Sequence, residues 1–249
     1  MKTLEVVSAG MVPYGAALEW QRELAQARIA GTLDHDLLLL LEHPPVITIG
    51  RTGTEAHVSA PAALLAQRGV PLFEVERGGD ATYHGPGQLV GYPIFDLRAG
   101  SHRQDLHWYL RTVEAALIAA LDRLGIAAER RPDYTGVWTR GGERKIASIG
   151  VHVKQWVTWH GFALNVNTDL SYFDLIVPCG IPDVVMTSIQ REQEGGTGEQ
   201  ETLWNPTIAA VLYGFQQAFG FDRVVTSTDF YRPLPSSTVP SSSKNLANT

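Results

Sequence analysis

Strands and helices fail to alternate along this chain, and this constrains its fold more than any other feature. From Tyr134 to Asn167, YTGVWTRGGERKIASIGVHVKQWVTWHGFALNVN reads as two or three strands joined by tight turns, with Gly141-Gly142 as a hairpin tip. No helix-forming stretch interrupts it. A doubly wound parallel sheet needs a helix between successive strands. The expectation is therefore α+β: mixed β-sheets packed by helices. LEVVSAG (4–10) reads as an opening strand, and Pro13 starts a helix that runs to a stop at Gly31. DLLLLLEHPPVITIG (36–50) reads as two short strands broken at Pro44-Pro45. PAALLAQRG (61–69) is a short helix, PLFEVE (71–76) a strand, RGGDATYHGPG (77–87) a loop and QLVGYPIFDL (88–97) a strand. RQDLHWYLRTVEAALIAALDRLG (103–125) has apolar residues at helical spacing and ends in glycine. NPTIAAVLYGFQQAFG (205–220) is a late helix.

At 44% hydrophobic and 18% charged residues, the 249-residue chain is folded, with enough apolar side chains for a sizeable core. A net charge of -6 leaves no basic footprint for nucleic acid. One cysteine excludes an internal disulfide framework. The longest apolar run, LLLLL (37–41), is far short of the roughly 20 residues of a membrane span. The stretch MKTLEVVSAGMVPYGAALEW does not read as a signal peptide. A cytoplasmic protein without membrane contact is expected. One domain is assigned to 1–232. REQEGGTGEQE (191–201) reads as a surface loop, and PLPSSTVPSSSKNLANT (233–249) as a disordered Ser/Pro-rich tail.

Four stretches are candidates for chemistry. Cys179 sits between Pro178 and Gly180, just past an apolar run. A lone cysteine is commonly a small buried hydrophobe, but a thiol on a Pro-Cys-Gly turn is also a candidate nucleophile in need of activation. Lys145 is the best internal activator. By strand alternation it shares a face with Ala147, Ile149, Val151 and Val153, which would desolvate it toward a usable base. The alternative is an exposed cation at a hairpin end. RGGDATYHGPGQ (77–88), with Gly78, Gly79, Gly85 and Gly87, allows close backbone approach to a ligand or to another chain segment. It is neither a P-loop nor a dinucleotide fingerprint. In HGFALNVN (160–167), His160, Phe162, Leu164 and Val166 form one face and Gly161, Ala163, Asn165 and Asn167 the other. The small residues leave room beside the strand for an apolar ligand or for close packing. The eight histidines show no metal-ligand spacing. His160 and Asn165 fall on opposite faces and cannot complete a Cys-His-Asn site.

In this order, RGGDATYHGPGQLVGYP, RKIASIGVHV and HGFALNVNTDLSYFDLIVPCG closely resemble the lipoyl(octanoyl) transferase family, related to biotin and lipoate protein ligases. The resemblance is dense from about residue 36 to 190. It implies the ligase catalytic-domain fold and the transfer of an octanoyl group from acyl carrier protein to a lysine of a lipoyl domain, the first step of endogenous protein lipoylation. The acceptors implied are lipoyl domains of 2-oxoacid dehydrogenase complexes and the glycine cleavage H protein. By position, Cys179 would hold the acyl group as a thioester, and Lys145 would lower its pKa and relay protons. Arg77, Gly78, Gly79, Asp80, Ala81, Thr82, Tyr83 and His84 would line the acyl pocket. Ser148, Ile149, Gly150, Gly161, Phe162 and Ala163 would complete it. No ATP and no metal are expected, because thioester exchange is nearly isoenergetic and amide formation from a thioester is downhill. The competing readings are an ATP-dependent ligase on the same fold, a cysteine-dependent amidotransferase that takes its acyl group from a carrier domain, and a non-catalytic lipoyl-domain binder.

Overall fold

The computed structural model describes residues 1–178, 184–193 and 200–227, with 200–202 as backbone alone. Its frame is a nine-stranded mixed sheet. Strands β1 (Thr3–Met11), β2 (Asp36–Glu42), β6 (Gln88–Ile94), β7 (Ala128–Arg131), β8 (Tyr134–Thr139), β9 (Arg144–Lys154), β10 (Val157–Asn165) and β12 (Arg223–Ser227) run in the order β12-β1-β2-β6-β10-β9-β8-β7. The ninth, β11 (Val185–Met186), pairs in parallel with the start of β9. A second sheet has the order β4-β3-β5, from β3 (Val46–Ile49), β4 (Leu72–Glu74) and β5 (Ala81–His84).

The run DLLLLLE shows why the large sheet sits in the middle. Alternate side chains of a strand point to opposite faces, so five consecutive leucines require cover on both. Leu38 and Leu40 pack under α3 (Leu106–Arg123) and α5 (Gln200–Phe219), while Leu37, Leu39 and Leu41 pack under α1 (Tyr14–Ala30). Asp105 caps α3 by accepting a hydrogen bond from the Trp108 N–H at 3.0 Å. Helix α1 ends at Gly31 in the left-handed conformation, as expected. Of the short helices α2 (Ala62–Gln67) and α4 (Ile189–Glu192), α2 packs Leu65 with the small sheet, and α4 buries Ile189 in the core beneath α3 and α5.

Four differences from the sequence reading stand out. The 77–87 stretch is not all loop, because Ala81–His84 pairs antiparallel with β3. Strands β7 and β12 are short edge strands rich in polar residues, so they carry no clean hydrophobic alternation. Lys145 does not share a face with Ala147. The register shifts between Val137↔Ala147 and Trp138↔Lys145, which leaves Ile146 as an extra residue on β9. Ile146, Ala147 and Val151 all pack toward α3 and α5, and Lys145 is turned to the opposite face with Ser148 and Gly150. His160 also leaves its expected face. Its φ of 54° breaks the alternation of β10, and its side chain lies beside Glu76 instead of joining Phe162 and Leu164 in the α3/α5 core. The expected tail, 233–249, and most of the 191–201 loop lie outside the described residues.

Helices α3 and α5 meet at backbone distance. A Cβ on Gly214 would collide with the carbonyl of Ala116. Gly214→Ala therefore sets two effects against each other. Helix propensity favours alanine by about 1 kcal/mol, while overpacking against backbone costs about 1–3 kcal/mol. Because the obstacle is a peptide group that cannot rotate away, the expected result is a lower urea midpoint; a higher midpoint would show that the helices can part.

Candidate active site

The cleft lies where the start of α1, strand β5 and the strands β9 and β10 meet. Arg77, Gly79, Asp80, Thr82 and His84 line one wall, and Ser148, Gly150, Gly161 and Ala163 the other. Ile149 and Phe162 also border the cleft. The empty space measures about 460 Å³, part of it open to solvent. Of the residues expected to line a pocket, Gly78, Ala81 and Tyr83 do not border it. Strand alternation turns Ala81 and Tyr83 into the core beneath the small sheet, and Gly78 donates its N–H to the Val151 carbonyl at 2.8 Å. Tyr14, Tyr92 and His160 border the cleft without having been singled out as pocket residues. Tyr14 lies 63 positions before Arg77, where the nearest motif stretch begins, so only the packing of α1 on the sheet brings it in.

The glycine-rich stretch is built into two neighbours. Arg51 and Thr52 donate their N–H groups to the carbonyls of Arg77 and Gly79. The buried Arg77 guanidinium donates to the Thr48 carbonyl at 2.7 Å and to the Thr48 hydroxyl at 2.8 Å. Across the cleft, a Cβ on Gly161 would strike the carbonyl of Gly91. Small residues on this strand therefore allow β10 and β6 to close together and also leave the cleft open above them.

Behind the cleft runs a chain of buried polar groups whose polarity is fixed at one end by the backbone. Asn165 Nδ2 donates to the Thr187 carbonyl at 2.9 Å, so Asn165 Oδ1 is left to accept from Gln88 Nε2 at 2.9 Å. Gln88 Oε1 then faces His84 Nδ1 at 2.8 Å and must accept from it. His84 is held in the Nδ1–H form, with Nε2 carrying the lone pair, and burial pushes its pKa well down. At the other end, the Thr187 N–H donates to the carbonyl of Lys145 at 2.9 Å. Neither Gln88 nor Asn165 belongs to the expected site; only their burial reveals them. A second pair fixes His43. Its Nδ1–H donates to the Val12 carbonyl at 2.7 Å, and its Nε2 accepts from the Tyr92 hydroxyl at 2.6 Å. Tyr14 stacks on His84 with ring centroids 6.0 Å apart, and burial raises its phenol to about 12.

Lys145 is 1% exposed. Its neighbours across the strands are Trp138 on β8 and Met186 on β11. Cys179 and Gly180 lie outside the described residues. The flanks of that segment do not: Pro178 and Val184 border one cavity together with Met186, the residue paired with Lys145. Among the described residues no group of three or more His, Cys, Asp or Glu is placed to hold a metal ion, and no helix is long and apolar enough to cross a membrane.

Residues 13–211 match the model of the lipoyl protein ligase A/B catalytic domain. The chain belongs to this family. Within it the chain groups with octanoyltransferases and is an acyltransferase. It is 51% identical over 185 residues to an octanoyltransferase of Gloeobacter violaceus, covering 74% of this chain and 79% of that one. It is 42% identical over 225 residues to an octanoyltransferase of Nostoc punctiforme, covering 90% and 92% of the two chains. Among solved structures, the bipartite lipoate protein ligase of Thermoplasma acidophilum superposes with a TM-score of 0.68 at 19% identity, covering 92% of this chain and 89% of that one. That likeness establishes the fold of a lipoate protein ligase.

The buried histidines make stability depend on pH. Burial lowers His43 to about 4, whereas the unfolded chain titrates it near 6.5. Its contribution is complete above about pH 6.5 and is lost as pH falls toward 4, because the unfolded state binds the proton first. The loss is on the order of 3 kcal/mol for His43 alone. The urea midpoint is expected to drop between pH 7 and pH 4.5, and to drop less in His43→Gln. A midpoint equally steep in both proteins would remove His43 from the account.

Proposed function

We propose that this chain moves an octanoyl group from the phosphopantetheine thiol of acyl carrier protein to a lysine of a lipoyl domain, by way of a thioester on Cys179. The Cys179 thiolate attacks the donor carbonyl, and the pantetheine thiolate leaves and takes up a proton. The acceptor amine then attacks the new thioester, Cys179 leaves as thiolate, and the amine gives up a proton as the amide forms. Lys145 passes the proton in both directions. Splitting the transfer lets one cleft serve two protein substrates in turn. The acceptors are lipoyl domains such as those of 2-oxoacid dehydrogenase complexes and the glycine cleavage H protein. No nucleotide or metal takes part, because both acyl steps run from an already activated thioester.

One observation carries this reading. The bulge at Ile146 puts Lys145 on the face of β9 that carries Ser148 and Gly150 of the cleft wall. At 1% exposed, Lys145 is buried to a degree that lysines almost never reach, which marks it as a candidate for chemistry. The relation to octanoyltransferases supplies the acyl group. The small side chains of the cleft wall suit an unbranched chain.

Octanoyl–acyl carrier protein and an apo lipoyl domain, mixed with the enzyme in the absence of nucleotide, test this. The expected result is an octanoyl amide on the lipoyl domain, with the rate down by about 10³-fold or more in Cys179→Ser and Lys145→Met. Transfer that requires free octanoate and ATP, and survives loss of Cys179, would replace this reading with that of a ligase.

A further inference from the structure

We infer that Trp138 is the positioning residue for Lys145, its indole face holding the ammonium group in place, and that Arg131 clamps the same ring. The inference rests on the reading that Lys145 takes part in the transfer.

Trp138 is fully buried and stands directly opposite Lys145 in the β8–β9 ladder. The Lys145 Nζ lies over its ring, 5.4 Å from the centroid. The Arg131 guanidinium carbon lies 4.7 Å from the same centroid. Both distances are inside the roughly 6 Å range in which an aromatic face attracts a cation. A second ring, that of Tyr134, lies 4.9 Å from the same guanidinium. Arg131 forms no ion pair among the described residues, so these aromatic faces are its main partners there.

Two further features make this an arrangement for the lysine and not ordinary core packing. The indole N–H of Trp138 is buried and has no hydrogen-bond partner among the described residues. Buried tryptophans usually satisfy this group. Phenylalanine would fill most of the site without that orphaned donor, so what tryptophan adds here is the stronger π face. Beside it, Gly136 adopts a φ of 138°, and a Cβ there would come within 2.8 Å of the Lys145 Cε and 3.4 Å of its Nζ. The strand leaves a place without a side chain where the lysine lies across it toward the ring. The bulge that turns Lys145 to this face begins at the Val137–Trp138 step itself.

The test compares Trp138→Phe with Trp138→Met, each alone and combined with Lys145→Met. The readouts are kcat and the KM for the octanoyl donor. Trp138→Phe keeps a π face and is expected to hold kcat within about threefold, while Trp138→Met loses about tenfold in kcat with KM unchanged. In the Lys145→Met background the two substitutions are expected to give the same residual rate. Equal kcat for the two with Lys145 present, or a tenfold difference that persists in its absence, would overturn the inference. Lys145→Met transferring at the wild-type rate would instead overturn the role of Lys145 itself. Should Trp138→Met fail to fold, Arg131→Met carries the test on a half-exposed side chain. It is expected to lower kcat about threefold with Lys145 and not at all without it; an unchanged kcat in Arg131→Met contradicts the clamp.

Discussion

One extra residue in a strand decides what this fold can do. A regular β9 would aim Lys145 at the apolar layer beneath α3 and α5, together with Ala147 and Val151. Burying an ammonium group there without partners costs several kcal/mol. The bulge at Ile146 lets both Ile146 and Ala147 feed the core and rotates Lys145 to the cleft side. The helix layer, the sheet and the cleft are then compatible in one chain.

The second constraint is polar burial. The cleft is backed by His43, His84, Gln88, Tyr92 and Asn165, all below a tenth exposed. Such groups destabilise a fold unless they are paired. Here a single direction of donation runs from His84 through Gln88 and Asn165 to the backbone carbonyl of Thr187, and another fixes His43 between Val12 and Tyr92. These chains hold the histidines neutral and set their tautomers. They also join the segment just after β11 that carries Thr187, whose N–H binds the Lys145 carbonyl, to the wall carrying His84. The cleft walls are therefore held in register by hydrogen bonds as well as by packing.

Much of this was legible in the sequence, and the remainder was hidden for identifiable reasons. The helices over 14–30 and 106–123 follow from apolar spacing and from their terminal residues, and DLLLLLE betrays a strand covered on both faces. Residues of the motif stretches from Arg77 to Ala163 border one cleft, where small residues permit close approach. Alternation failed at Lys145 and at His160, where a bulge and a positive φ reverse the faces; neither leaves a mark on hydrophobic periodicity. Ala81 and Tyr83 belong to the motif yet not to the cleft wall, since a short strand gives only alternate residues to each side, and Gly78 is instead tied to the Val151 carbonyl. Tyr14, Gln88, Tyr92 and Asn165 gain their places through tertiary packing, which no local pattern encodes.

In the proposed transfer, Cys179 carries the acyl group. The most direct measurement is the intact mass of the enzyme after incubation with octanoyl–acyl carrier protein alone, with no acceptor present, beside the Cys179→Ser variant. The expected result is one added octanoyl group that hydroxylamine removes and that the variant lacks. A wild-type mass that stays unchanged while the same preparation still acylates a lipoyl domain would contradict it.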